Sequence, residues 1–240
     1  MVREPIRYKS DVLVIGSGIG GLTAALKAAK RGASVMVVTK KLAIECNTTY
    51  AQGGIACVMD DDDTFDEHVY DTMVAGCHLN KEDVVRTIIE DGPARIQDLL
   101  DTGVQFTRRA ELEEGAKKSG TDPLDFDLGR EGGHRKRRIL HSGDYTGREM
   151  IRAVHKACLD HPKIDLREGC HAVDLIASRR LGWDGPNMCL GAWVMDRETN
   201  AVDTYLAKHT ILATGGAGKA YLYTSNPDVA CGEGVAMAYR

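Results

Sequence analysis

The 240-residue chain is 43% hydrophobic, enough apolar material for a sizeable core. Its 31 basic and 35 acidic residues leave a formal charge of -4, which offers no general attraction to nucleic acid or acidic membranes and points to small-molecule chemistry. Seven scattered cysteines without Cys-x-x-Cys spacing argue against a disulfide framework or a zinc site; with no apolar run of ~20 residues and a short, polar N-terminal segment, a cytoplasmic location is expected.

Asp11-Val12-Leu13-Val14-Ile15 reads as a buried strand. Ile19, Leu22, Ala25, Leu26 and Ala29 then recur at helical spacing up to Gly32, and residues 34–39 supply a second apolar strand. This order is a βαβ unit of a parallel sheet, spanning about residues 10–40. Between its first strand and helix stands Gly16-Ser17-Gly18-Ile19-Gly20-Gly21. In such a loop the first glycine makes the tight turn, the second lets a pyrophosphate reach the backbone, and the third lets helix and strand pack. The helix N-terminus then faces the phosphates with unpaired N–H groups. The acidic residue that usually follows by ~20 positions and grips a ribose is replaced by Thr39-Lys40-Lys41, leaving that contact to Thr39, Lys40 or the backbone.

Asp60-Asp61-Asp62-Asp63 reads as an exposed acidic turn leading into a helix, since it lacks the glycine and distal glutamate of a calcium loop. Residues 80–101 are helical in pattern, broken or kinked at Gly92-Pro93 and closed by Gly103. Residues 109–129 read as an exposed loop without regular structure. The run Arg135-Lys136-Arg137-Arg138 reads as a solvated face, and Arg138 to His141 as strand-like. Thr146-Gly147-Arg148-Glu149 has the pattern of a capping box opening a helix to about Asp160. Strands are then expected at 164–167, 172–178, 190–196 and 202–206, forming a small antiparallel insertion, with a turn at Trp183-Asp184-Gly185-Pro186. His209 to Thr214 returns as a separate buried strand ending on Gly215-Gly216. The eight histidines show no His-Glu-x-x-His spacing, and no metal is expected.

Asn47 and the following Thr48-Thr49-Tyr50-Ala51-Gln52-Gly53-Gly54 combine hydroxyls, amides and two glycines that let a flat ligand lie against the main chain. Here the chain resembles the flavoprotein family of succinate dehydrogenases, fumarate reductases and L-aspartate oxidases, which shares the Ala-Gln-Gly-Gly core. Ala213-Thr214-Gly215-Gly216, Asn226-Pro227-Asp228 and Gly232-Glu233-Gly234 match the same family, although Glu233 stands where aspartate is usual. The resemblance covers essentially the whole chain. It implies an α/β, Rossmann-like FAD-binding domain with a central parallel sheet and a small antiparallel β insertion. Its implied cofactor contacts are Gly16 to Gly21, Thr39, Lys40, Asn47 to Gly54, His171, Ala213, Thr214, Gly215 and Glu233. Covalent attachment in the succinate dehydrogenases uses a histidine just before that core; Asn47-Thr48-Thr49 has none, so FAD is expected to be held non-covalently.

Arg130-Glu131-Gly132-Gly133-His134 resembles the form characteristic of the L-aspartate oxidases within the family. The resemblance implies oxidation of L-aspartate to iminoaspartate, with oxygen or fumarate as terminal oxidant, and possible transfer of the product to quinolinate synthase for NAD biosynthesis. Aspartate carries an α-ammonium that succinate lacks, so Glu131 is the candidate carboxylate for it, with His134 as support. A fumarate reductase or succinate dehydrogenase flavoprotein is the alternative, as is a catalytically incomplete FAD-binding fragment. Residues 1–240 are expected to form the first segment of the FAD-binding domain, with the flavin loop at about 46–55. The capping and C-terminal helical domains, with the groups that grip the carboxylates and deliver the proton, are expected beyond Arg240.

Overall fold

The computed structural model describes residues 4–109 and 125–240. In chain order its elements are β1 (Arg7–Ile15), α1 (Ile19–Lys30), β2 (Val35–Val38), β3 (Ile55–Ala56), α2 (Phe65–Ala75), α3 (Glu82–Asp101), β4 (Leu128–Gly129), β5 (Ile139–Leu140), α4 (Thr146–Leu159), β6 (Ile164–Arg167), β7 (Cys170–Ala177), β8 (Cys189–Asp196), β9 (Val202–Leu212) and α5 (Glu233–Tyr239). They fall into two compact units: residues 1–50 with 151–240, and residues 51–150.

The first unit is built on a six-stranded sheet of order β6-β2-β1-β9-β8-β7. β1 lies parallel to β2 and β9, and β2 parallel to β6. Val12 to Ile15 and Val35 to Val38 are buried throughout, as strands covered on both faces must be, which is why they read as unbroken apolar runs. α1 buries Gly21, Leu22, Ala25, Leu26 and Ala29 and ends before Gly32, whose φ of 97° a side chain would disfavour. The expected strands at 202–206 and 209–214 prove to be one, β9. It pairs with β1 from Thr204 to Leu212, while its first half also pairs antiparallel with β8. The antiparallel strands β7 and β8 therefore extend the central sheet. At the crossing of β8 and β9, a Cβ on Gly191 would stand 1.9 Å from the Tyr205 carbonyl oxygen, so only glycine lets the strands meet there.

The second unit holds a three-stranded sheet of order β3-β5-β4, antiparallel throughout, together with α2 and α3. Of the expected break or kink, the break is absent: α3 runs continuously through Gly92-Pro93. Proline removes one helical N–H, but Ile89 and Ile96, one on each side and seven residues apart, are both buried and hold the two halves to one face. Of the expected loop at 109–129, residues 110–124 lie outside the described residues. Its C-terminal end is ordered structure: Phe126 bridges to Arg108 and packs edge-on against Phe106, and Leu128–Gly129 is a strand.

Both residues of the expected capping box reach neighbouring loops. The Thr146 hydroxyl donates to the Gly53 carbonyl (2.6 Å) and accepts from Ser142 N–H (3.0 Å), while the Glu149 carboxylate accepts from Gln105 N–H (2.9 Å). α4 thus uses both box residues to hold neighbouring loops, and the Gly147 N–H adds a bond to the Ala51 carbonyl (3.1 Å).

Asp61, Asp62, Arg135 and Arg137 are exposed as expected, and the acidic turn leads into α2, but each charge run buries its last member. Arg138 is fully buried and donates through Nε and Nη2 to both oxygens of buried Asp63 (2.8 Å each) and through Nη1 to Asp71 (2.9 Å). Asp71 also accepts from the Arg135 side chain (2.6 Å) and backbone N–H (3.0 Å). Burial pushes the Asp71 carboxyl up, but those Arg135 bonds and the adjacent Arg138 charge hold it below the ordinary carboxylate range. A buried guanidinium survives because its bidentate and bridging bonds satisfy the fork.

Candidate functional site

In the first unit the glycine loop connects β1 to α1, and its glycines serve different ends. Gly16 has φ 115°, and a Cβ there would lie 2.2 Å from the Ala213 carbonyl oxygen; one on Gly21 would lie 2.1 Å from the Gly16 oxygen. Both are required by the turn and by packing within the protein. Gly18 and Gly20 are different: a Cβ on Gly18 would meet only the Thr48 hydroxyl at 3.8 Å, and one on Gly20 would meet nothing within 4 Å. The fold does not need these positions bare, so their open space is available to a ligand. α1 starts from Gly18 without a side-chain cap and with no acidic residue in its first turn. Its Ile19 N–H reaches the Thr48 hydroxyl at 3.3 Å, and no acceptor among the described residues meets the Gly20 N–H. Open backbone, the free Gly20 N–H and the helix dipole make this an anion cradle fitting a pyrophosphate.

The cradle opens into a cavity of about 340 Å³. Gly16, Ser17, Gly18, Ile19, Gly20, Thr39, Lys40, Asn47, Thr48, His171, Ala213, Thr214, Gly215 and Glu233 line it; Gly21, Thr49 and Tyr50 do not. Thr49 turns back to the Ile44 carbonyl (2.5 Å), and Tyr50 is exposed. The Ser17 hydroxyl donates to the Ala43 carbonyl (2.9 Å) and lies 3.0 Å from the Thr39 hydroxyl, fixing the end of β2 against the glycine loop. Glu233, at the start of α5, forms an ion pair with Lys40. Burial pushes the Glu233 carboxyl up, but the bonds from Lys40 and its own N–H hold it below the ordinary range. The position after β2 that lacked an acid in the sequence thus meets one brought from α5.

Sequence reasoning missed Cys46, Cys170, Ala172, Ala230 and Met237, which complete much of the apolar wall. Met237 was findable, since it lies four residues from Glu233 on one helix face. Cys170 and Ala172 were not, because their place depends on the Cys170 N–H bonding to the Thr39 carbonyl (2.9 Å), a link between distant segments.

Ala51 to Gly54 belong to the second unit. There Gln52, Gly53, Arg130, Glu131, His141 and Tyr145 line a cleft of about 530 Å³. The Glu131 carboxylate stands so close to Gly53 that a Cβ there would lie 2.8 Å from Glu131 Oε1. Gly54 is bare for another reason: a Cβ would collide with β5, 2.2 Å from the Leu140 carbonyl oxygen. The structure thus brings the Ala-Gln-Gly-Gly core and Glu131 together. It does not bring His134 into that cleft. His134 packs on His68 (ring centroids 5.9 Å apart), with Nδ1 3.5 Å from Arg138 Nη1. His141 is the histidine that shares the cleft with Glu131, its Nε2 3.0 Å from Asp127 Oδ2.

Residues 11–240 match the sequence profile of the FAD binding domain. The chain belongs to that family. This FAD-binding domain is 46% identical over 230 residues to L-aspartate oxidase 1 of Ralstonia nicotianae and 45% identical over 235 residues to L-aspartate oxidase of Pseudomonas aeruginosa. These alignments cover 96% and 97% of this chain but 41% and 42% of those proteins, so the chain spans about two fifths of their length. Among solved structures, a quinol fumarate reductase of E. coli superposes with a TM-score of 0.85 at 27% identity, covering 97% of this chain and 37% of that one. The Sdh1 complex of Mycobacterium smegmatis gives 0.83 at 30% identity, covering 97% and 38%. The parallel-dominated sheet and glycine cradle are therefore those of an FAD-binding domain, with FAD as the cofactor. Among the described residues no helix is long and apolar enough to cross a membrane.

Proposed function

We propose that this FAD-binding domain serves an L-aspartate oxidase that converts L-aspartate to iminoaspartate with oxygen or fumarate as terminal oxidant. The observation that carries the reading is the Glu131 carboxylate standing against Gly53 in the cleft of the second unit. Among the described residues no side chain bonds to it, so it is free to pair with an ammonium. The 45–46% identity to L-aspartate oxidases, against 27–30% for the fumarate reductase and Sdh1 structures, favours the same substrate.

Gly18, Gly20 and the N-terminus of α1 would hold the pyrophosphate of FAD, with Lys40, Asn47, Thr48, His171, Thr214 and Glu233 around it. Asn47, Thr48 and Thr49 offer no histidyl link at the position where the succinate dehydrogenases attach the flavin, which supports a non-covalently held cofactor. Bound FAD supplies the acceptor for the hydrogen on the substrate Cα. Glu131 orients the substrate through its ammonium, and exposed Arg130 beside it offers a guanidinium to a substrate carboxylate. Both contacts gain strength as water leaves the cleft. In this reading the iminoaspartate passes to quinolinate synthase, and the seven unpaired cysteines suit a cytoplasmic enzyme.

The test compares hydrogen peroxide release on L-aspartate with succinate oxidation by an artificial acceptor, in the full-length FAD-loaded protein. L-Aspartate should be the substrate. Glu131→Gln should lower aspartate oxidation about 10- to 100-fold, the value of a charge-assisted bond, and fumarate reduction far less. Equal losses in the two activities would refute the role of Glu131.

A further inference from the structure

Oxidising an α-ammonium requires the nitrogen to give up a proton, and Glu131 is placed to pair with that nitrogen. A second group is needed to receive the proton, and an imidazole, which titrates nearer neutrality than a carboxylate, suits the task. His141 is such a group. It follows β5, so it shares a strand face with Ile139, and both line the cleft that holds Glu131. Gly129 lies across from them, where a Cβ would sit 3.6 Å from the Ile139 Cβ and 4.0 Å from His141 Cδ2, so a larger side chain would press on this wall. The Asp127 carboxylate, 3.0 Å from Nε2, accepts only a proton-bearing nitrogen. That sets the proton on Nε2 and leaves Nδ1 as the lone-pair site, with no hydrogen-bond partner among the described residues. A base oriented by a carboxylate at its far nitrogen is the arrangement that general-base catalysis uses.

We propose that His141, oriented by Asp127, accepts the proton released by the substrate amine in this cleft. The inference rests on the L-aspartate reading above. One N–H bond of the ammonium breaks, its proton forms a bond to His141 Nδ1, and its electron pair stays on nitrogen. As the Cα–H electron pair departs as hydride, with the flavin as oxidant, that nitrogen pair forms the C=N bond of the iminium. His134 cannot take the part, being engaged with Arg138 and His68 outside the cleft.

The test uses the full-length FAD-loaded protein. His141→Ala should lower kcat for L-aspartate about a hundredfold or more while KM changes less than about threefold, and added imidazole should restore the rate in proportion to its free-base concentration. His141→Asn keeps a donor towards Asp127 without the base and should show the same loss, which guards against misfolding of the alanine variant. Nitrogen-15 NMR of the ligand-free protein should find the His141 ring proton on Nε2 in the wild type. A kcat within about threefold of wild type in either variant, a loss in His141→Ala that imidazole leaves unchanged, or a proton on Nδ1 overturns the proposal. A wild-type protein inert towards L-aspartate overturns this inference and the reading it rests on; a wild type that turns over with equally active His141 variants overturns this inference alone.

Discussion

Arg138→Met tests the buried clamp most sharply, because the structure fixes what each partner loses. Asp63 would keep one bond, from the Thr64 N–H at 2.9 Å, and no cation, while Asp71 would keep Arg135. Both side chains are almost sealed from water, Asp63 at 0% and Asp71 at 3% exposure. Removing one partner of such a pair costs about 3–5 kcal/mol, since a buried charge is left uncompensated. With a urea dependence of about 2 kcal/mol per molar, the unfolding midpoint should fall by ~2 M. The probe should be helical circular dichroism, to which α2 and α3 of the second unit contribute; Trp183 and Trp193 lie in the first unit and report on it instead. Adding Asp63→Leu to Arg138→Met removes the stranded carboxylate and should recover at least half of the loss. A single variant within about 0.5 kcal/mol of wild type, or a double variant less stable than the single, would refute the reasoning.

His68 gives a pH dependence. Its side chain is buried with Nδ1 unpartnered, and burial, then the charges of Arg138 and His134, lower its pKa from 6.5 to about 4 despite Asp63 and Asp71 nearby. Between those values the unfolded chain binds a proton that the folded one refuses, so stability falls as pH drops from 6.5 to 4, by up to roughly 3 kcal/mol. Urea midpoints at pH 7 and pH 4.5 should show that loss, and His68→Gln should flatten it; an unchanged slope would count against it. Burial pushes the Cys57 and Cys158 thiols up to about 12, so alkylation at pH 8 followed by peptide mass spectrometry should mark exposed Cys77, Cys189 and Cys231 and spare those two until the chain unfolds. Gly21→Ala should destabilise by several kcal/mol through its 2.1 Å clash with the Gly16 oxygen. Gly20→Ala should leave stability equal or up to about 1 kcal/mol higher; similar melting shifts in the two would contradict the separate roles of these glycines.

The β1–α1–β2 unit was legible because its signals are local: apolar runs, helical spacing and glycines whose conformational demands the structure confirms at Gly16 and Gly21. β9 reads as two strands in the sequence because Ala207 and Lys208 interrupt the apolar pattern, and only its pairing along β1 makes the strand continuous. The acidic and basic runs read as surface because each is polar in isolation, and most of their members are; Asp63 and Arg138, which are not, lie 75 positions apart, and nothing local announces their pairing. The same limit applies to the cleft. Glu131 was visible through its motif, whereas His141 gains meaning only when β4 and β5 pair and bring Asp127 to its ring.

The most direct test of the FAD cradle is the flavin absorbance retained by the purified protein after saturation with FAD and gel filtration, for wild type and Gly20→Val at matched circular dichroism. A Cβ at Gly20 meets nothing within 4 Å among the described residues, so a valine side chain there starts in the open space that a ligand over the helix N-terminus would fill, and the matched circular dichroism checks that the fold is kept. The account predicts close to one FAD per wild-type chain and almost none on the variant. A colourless wild type, or equal flavin on both proteins, would contradict it.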